Sequence, residues 1–210
     1  MSKTILFAQQ KGGAGKTTLL TQIAVHLAGG GKAVTLIDLD PQRTLSSWFD
    51  KRMQKLGDGG GLDLTETSEW RAATDISKAA KTSDFVFVDA PGAADVLGRI
   101  AMREADFAVV PCQPSMPDVW ASEATLAMLN KAGCEHVVVL NRCPPRGKAA
   151  DQAADAMAET GAPILPARVG QRAAFTDAFI RGSGVSETAK STKAAEEIQL
   201  LTKALLKAAG

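Results

Sequence analysis

Residues 9–18 read QQKGGAGKTT, between the apolar run KTILFAQ and the stretch KTTLLTQIAVHLAGGG. The first run has the length and unbroken apolar character of a buried strand, which we place at residues 3–8. The second has apolar residues at helical spacing and stops at the glycines 29–31, so it reads as a helix. Strand, glycine-rich turn and helix N-terminus in direct succession leave few folds open. The strand must be covered, the helix must cover it, and the loop between them must present backbone N–H groups at one edge of a sheet. Glycines let those groups converge on phosphate oxygens without a Cβ in the way. In such a loop Lys16 neutralises the outer phosphates of a nucleotide and the Thr17 hydroxyl is a ligand for Mg²⁺.

The remainder repeats the alternation. KAVTLIDLD, DFVFVDAPG, DFAVVPC and HVVVLNR are strand-like runs, and LDLTET has the look of a short edge strand. Helical patterns occupy RTLSSWFDKRMQKL, EWRAATDISKAAK, PDVWASEATLAMLNKAG and residues 148–160, 171–181 and 192–208. APILPARV has room for a last short strand. Strands apolar throughout, separated by helices, predict an α/β fold of three layers, α/β/α, around a mostly parallel central sheet. Right-handed crossovers then bring the strand C-terminal ends, and with them residues 9–18, 38–40, 89–92 and 141–142, to one rim where ligands bind. At 210 residues, with 45% hydrophobic and 22% charged residues, the chain is read as one domain over 1–210. Its three cysteines form no CxxC pair, and its first apolar run is too short for a signal peptide or a membrane span; both point to the cytoplasm. A net charge of +1 excludes a global field that would hold the protein on nucleic acid, although residues 141–210 carry ten Lys and Arg against seven Asp and Glu.

The general phosphate-loop pattern, GxxxxGK[ST], requires glycine where this chain has Gln10. The sequence instead reads Lys11, Gly12, Gly13, Ala14, Gly15, Lys16, Thr17, Thr18. It resembles the deviant Walker A motif KGGxGK[ST] of the ParA/MinD family of P-loop ATPases, and the resemblance covers nearly the whole chain. It implies a P-loop NTPase fold with ATP and Mg²⁺ as cofactors, the loop Gly12, Gly13, Ala14, Gly15, Lys16, Thr17 and Thr18 cradling the phosphates. It also implies that Lys11 reaches across an ATP-bridged homodimer to the partner's phosphates.

Asp38 and Asp40 stand two apart at a strand end, which the strand period puts on one face; like charges so close call for a cation. DPQ at residues 40–42 and VDAPG at residues 88–92 look like the family's acidic motifs. By that resemblance Asp40 orients the attacking water, Asp38 supports the metal shell, Asp89 holds Mg²⁺ and Pro91 and Gly92 begin a switch segment. Asn141 is the expected adenine reader, its amide offering both donor and acceptor, and Pro166 belongs to the adenine-side loop.

Among branches of the family, the sequence is most like the small ParA-type (ParF-like) partition proteins, with no room before the first strand for a helix-turn-helix. The resemblance implies an ATP-dependent partition ATPase, nucleoid-associated, that binds double-stranded DNA without sequence preference, is stimulated by a ParB-type partner and segregates plasmid, chromosomal or protein cargo. Arg168, Arg172 and Arg181, with Lys190, Lys193, Lys203 and Lys207, are the candidate phosphate contacts. The alternative is a MinD-like membrane ATPase. Its basic amphipathic tail does not match KAAEEIQLLTKALLKAAG, whose Ile198, Leu201 and Leu205 read as a core-packing stripe, so no membrane partner is expected.

Overall fold

The computed structural model describes residues 2–92 and 96–210. Among these, six strands form one sheet: β1 (Lys3–Phe7), β2 (Val34–Asp38), β3 (Leu62–Thr65), β4 (Phe85–Asp89), β5 (Phe107–Cys112) and β6 (His136–Leu140). Their order is β3-β2-β4-β1-β5-β6, and every pair is parallel. The helices are α1 (Lys16–Gly29), α2 (Thr44–Leu56), α3 (Ala72–Ala79), α4 (Val96–Glu104), α5 (Met116–Ala132), α6 (Ala149–Glu159), α7 (Ala173–Ile180), α8 (Val185–Thr188) and α9 (Lys193–Ala208).

The inner strands are largely apolar on both faces because both faces are covered, while the edge strand β3 turns only Leu62 and Leu64 to the core. In β1, Ile5 and Phe7 enter the core shared with α1, α2 and α7–α9, while Leu6 enters the core shared with α3–α6. Phe107 and Val109 against Ala108 and Val110 repeat the division in β5. The register aligns Phe7 and Asp38 each with Asp89, so three strands end level, and three loops leave from the same height.

Three details differ from the pattern reading. Residues 162–169 form no strand. They run along the outer side of β6, where Val138 N–H donates to Pro163 O (2.8 Å) and Leu165 N–H to Val138 O (2.9 Å), with only an isolated bridge at Ile164. Pro163 and Pro166 lack the N–H groups that a ladder needs, so the segment seals the sheet edge without joining it. The helix expected over 69–81 starts as a 3₁₀ turn, Glu69–Arg71, before α3. The pattern reading also assigned nothing to α4 or to the one-turn α8.

The C-terminal helix α9 packs against α1 through Ala194, Ile198, Leu201 and Leu205, the stripe expected for a core helix. Among the described residues, no helix is long and apolar enough to cross a membrane.

Candidate nucleotide-binding site

The loop from β1 to α1 turns back on itself through Gly13 (φ 80°) and Gly15 (φ 95°), conformations that a side chain resists. At Gly15 the space is also taken: a Cβ there would collide with Asn141 Nδ2. Helix α1 opens at Lys16 without a side-chain cap and without an acid in its first turn, which leaves its N–H groups and partial positive charge to an external anion. Lys16 is buried, and its Nζ donates to Gln9 O (3.3 Å), folding it over the loop.

Beneath the loop lies Asp89, at the end of the central strand β4 and fully buried. It accepts a 2.5 Å hydrogen bond from Thr17 Oγ1 on one oxygen, and its Oδ1 has no partner. Burial pushes the Asp89 carboxyl up to about 7, with the Thr17 hydrogen bond and the Lys16 charge pulling back and Asp38 and Asp40 adding to the rise. A buried carboxylate with an orphaned oxygen beside a hydroxyl fits a divalent cation, whose charge would hold it ionised. Thr17 and Asp89 are the residues that would hold Mg²⁺.

Asp38 has a different occupation from the one expected. Its Oδ2 accepts from Ser46 N–H (2.8 Å) and Ser46 Oγ (2.9 Å), and its Oδ1 from Asp40 N–H (3.1 Å). Oδ2 therefore fastens the strand end to α2 and Oδ1 braces the loop at Asp40, so the carboxylate is held in place by its own chain. Strand β2 ends at Asp38, so Asp40 lies beyond it and the shared-face argument does not apply. Asp40 sits in the loop and accepts from Gln42 N–H (3.0 Å). It lines a 310 Å³ groove with Pro41, Arg43, Glu66, Glu69 and Leu97.

Lys11, at the mouth of the loop, is 37% exposed and pairs through Nζ with Asp118 Oδ2 (2.7 Å) on α5, itself only 6% exposed. Asp118 also accepts from the hydroxyl of Ser115, the residue that caps α5. Sequence reasoning missed this support. Gln9 Nε2 donates to Ser122 Oγ (2.8 Å) and Pro111 O (3.1 Å), its Oε1 accepts from Thr125 Oγ1 (3.1 Å), and Gln113 Nε2 donates to Gly13 O (3.0 Å). The available signal was the polar triplet Asp118, Ser122, Thr125 at spacings of four and three, one helical face. All three are buried.

On the other side of α1 a 430 Å³ cleft is walled by Thr18, Asn141, Val169, Gly170, Gln171 and Phe175, among others. Asn141 lines this cleft, and its Nδ2 donates to Ala14 O (2.9 Å), bracing the phosphate loop from below. Pro166 is exposed and does not line the cleft; the segment from Val169 onward does, because residues 163–166 are held along β6.

The expected basic surface divides. Arg168 is paired with Asp151 (2.6 Å) and Arg172 with Glu197 (2.5 Å, with a second bond from Nε at 2.9 Å). Arg181, Lys190, Lys193, Lys203 and Lys207 are exposed and have no acidic partner among the described residues. The three cysteines are buried, burial raises each thiol, and no cluster of three metal-ligating side chains occurs among the described residues.

A parallel sheet with a glycine loop, a lysine and a Thr–Asp pair at the end of its central strand defines a P-loop nucleotide-binding protein. Residues 5–185 match the family model for the CobQ/CobB/MinD/ParA nucleotide binding domain. The chain is 31% identical over 202 residues to maintenance of carboxysome distribution protein A of Halothiobacillus neapolitanus, covering 93% of this chain and 92% of that one. Its fold matches the septum site-determining protein MinD of Pyrococcus horikoshii complexed with Mg-ADP (TM-score 0.82, 19% identity, 100% and 98% coverage). It also matches a putative plasmid partition protein of Borrelia burgdorferi bound to AMPPNP (TM-score 0.78, 18% identity, 99% of each chain). The chain belongs to the ParA/MinD family of P-loop ATPases.

Proposed function

We propose that this protein is a ParA-type partition ATPase that dimerises around ATP and Mg²⁺, binds DNA without sequence preference, and releases it when a ParB-type partner stimulates hydrolysis. The observation that carries the reading is Lys11. It is a second lysine at the mouth of a complete phosphate loop, on a side chain long enough to leave Asp118 for a partner's nucleotide. The carboxysome-distribution relative supports a cargo-positioning role, with plasmid, chromosomal or protein cargo served by the same chemistry.

Bound Mg²⁺–ATP supplies a γ-phosphorus open to in-line attack by water. Around it, Gly12, Gly13, Ala14 and Gly15 direct backbone N–H groups to the phosphates, and Lys16 offsets the charge that develops on them. Thr17 and Asp89 hold the metal, Asp40 orients the attacking water, and Asn141 reads the base. Arg181, Lys190, Lys193, Lys203 and Lys207 contact DNA phosphates, and dimerisation doubles that surface. Arg168 and Arg172, already neutralised by Asp151 and Glu197, serve the fold. In this reading the protein is cytoplasmic and nucleoid-associated.

Two measurements test the proposal. Asp40→Ala keeps ATP binding and dimerisation and loses hydrolysis; retained hydrolysis refutes the role of Asp40. Fluorescence anisotropy with random-sequence duplex at low salt, with and without ATP, shows ATP-dependent binding. Absence of binding together with ATP-dependent capture on anionic liposomes would replace partition by membrane positioning.

A further inference from the structure

Two residues other than glycine adopt left-handed backbone conformations among the described residues, and both are arginines on the ligand rim: Arg43 (φ 52°) and Arg142 (φ 55°). A side chain in that region is strained, and such strain persists where the surrounding structure over-determines it. Arg43 has a local account. It precedes α2, and its guanidinium pairs with Glu66 (2.7 Å).

Arg142 has none. It follows Asn141 directly at the C-terminal end of β6, it is exposed, and it lines the 430 Å³ cleft beside Thr18 and Asn141. A Cβ at Gly15 would stand 3.9 Å from Arg142 Nε, so the guanidinium stem lies against the phosphate loop at the residue preceding Lys16. The other arginine of the cleft, Arg172, is neutralised by Glu197, and nearby Arg168 by Asp151. Arg142 has neither ion pair nor side-chain hydrogen bond among the described residues. An uncompensated guanidinium held in strain between an anion-binding helix terminus and an otherwise neutralised cleft is built for an anion that comes from outside.

We infer that Arg142 is a nucleotide-binding residue whose guanidinium pairs with the phosphate nearest the nucleoside, closing the cleft side of the site as Lys16 closes the loop side. A phosphate oxygen, rather than the base, is its partner. The guanidinium Nε lies by Gly15, at the phosphate loop, whereas Val169 and Phe175 supply the apolar wall of the cleft suited to a base. The inference rests on the nucleotide-binding reading above.

The test uses the full chain, with ADP and adenosine as probes in calorimetry or in competition with a fluorescent ADP. Arg142→Gly suits a φ of 55° and removes the guanidinium; Arg142→Met keeps the stem, and Arg142→Lys keeps the charge. Loss of a charge-assisted bond to phosphate weakens ADP about tenfold in the Gly and Met variants. Adenosine binding stays within about twofold, Lys recovers part of the loss, and added salt narrows the difference. Because glycine relieves the strained backbone, Arg142→Gly melts no lower than the wild type. ADP affinity unchanged in both the Gly and Met variants would overturn the inference. So would equal weakening of adenosine and ADP, which would mean stacking on the base, or losses that follow falling melting temperatures. A wild-type protein that fails to bind ADP would overturn the nucleotide reading itself, a result distinct from all of these.

Discussion

Lys11 cannot reach a second protomer while it is bonded to Asp118, so the ion pair competes with the proposed dimer. The perturbation that exposes this competition is Asp118→Asn, which keeps the side-chain volume and removes the charge. Lys11 is 37% exposed, so its pair with Asp118 has the strength of a partly solvated bridge, about 1 kcal/mol at the upper end of such pairs. A symmetric dimer breaks two of them. Freeing both lysines in advance favours the dimer by about 2 kcal/mol, roughly a 30-fold fall in its dissociation constant. Asn still offers an oxygen to the Ser115 hydroxyl that bonds Asp118 in the native chain, and the Nδ2 that replaces the unpartnered Oδ1 is buried in monomer and dimer alike, so its cost falls on the fold and not on the dimer constant. Sedimentation equilibrium with Mg²⁺ and a non-hydrolysable ATP analogue measures the shift directly. A dissociation constant within twofold of the wild type, or a higher one, would show that Lys11 is not withheld by Asp118 and would refute the reasoning.

Other consequences are equally direct. Gly15→Ala must distort a φ of 95° and push Asn141 Nδ2 off the loop; it abolishes ATP binding in a filter or calorimetric assay and destabilises the fold by about 1–3 kcal/mol in urea titration. Arg52 is 1% exposed and joins Glu187 (2.8 Å), Gly59 O (2.7 Å) and Gly182 O (3.2 Å) in one guanidinium. Arg52→Met leaves those acceptors unpaired and costs about 3–5 kcal/mol, seen as a lower urea midpoint. Burial works to raise the Glu187 carboxyl, but the hydrogen bonds and charge of Arg52 outweigh it and hold it below the ordinary glutamate range. Its contribution is therefore full above the ordinary glutamate value and is lost as pH falls through the lowered one; Glu187→Gln flattens the acid limb of a stability–pH curve, and an unchanged limb would contradict the pairing.

The rim was legible because strand ends announce themselves. Residues 7, 38 and 89 close apolar runs, and in a parallel sheet those ends share one edge. The supports behind the rim were not legible in the same way. Gln9 reads as an ordinary polar residue beside a glycine loop, and only the packing of α5 turns it into a buried hub. Pro166 was placed by analogy of sequence position. Backbone bonds of Pro163 O and Leu165 N–H with Val138 hold its segment against β6, and the lining passes to Gly170 and its neighbours. The anchoring of Asp38 was illegible for a related reason, since nothing local says that Ser46, eight residues on, returns to bond its oxygen.

The sequence by itself determined the class of the molecule. Spacing within a dozen contiguous residues specifies a phosphate loop, because the loop's chemistry resides in its own backbone and in a lysine and a threonine one residue apart. Periodicity specifies a covered parallel sheet, because burial on both faces keeps the strand interiors mostly apolar and leaves the charged residues to their ends. Only the tertiary structure decided how the site is held: Lys11 on Asp118, Asp89 with one oxygen unpaired, Asn141 beneath Gly15, Arg142 strained at the cleft. Each of these joins residues tens of positions apart or depends on backbone angles and burial. Such pairings arise when folding removes water from both partners at once, and local sequence has no term for that.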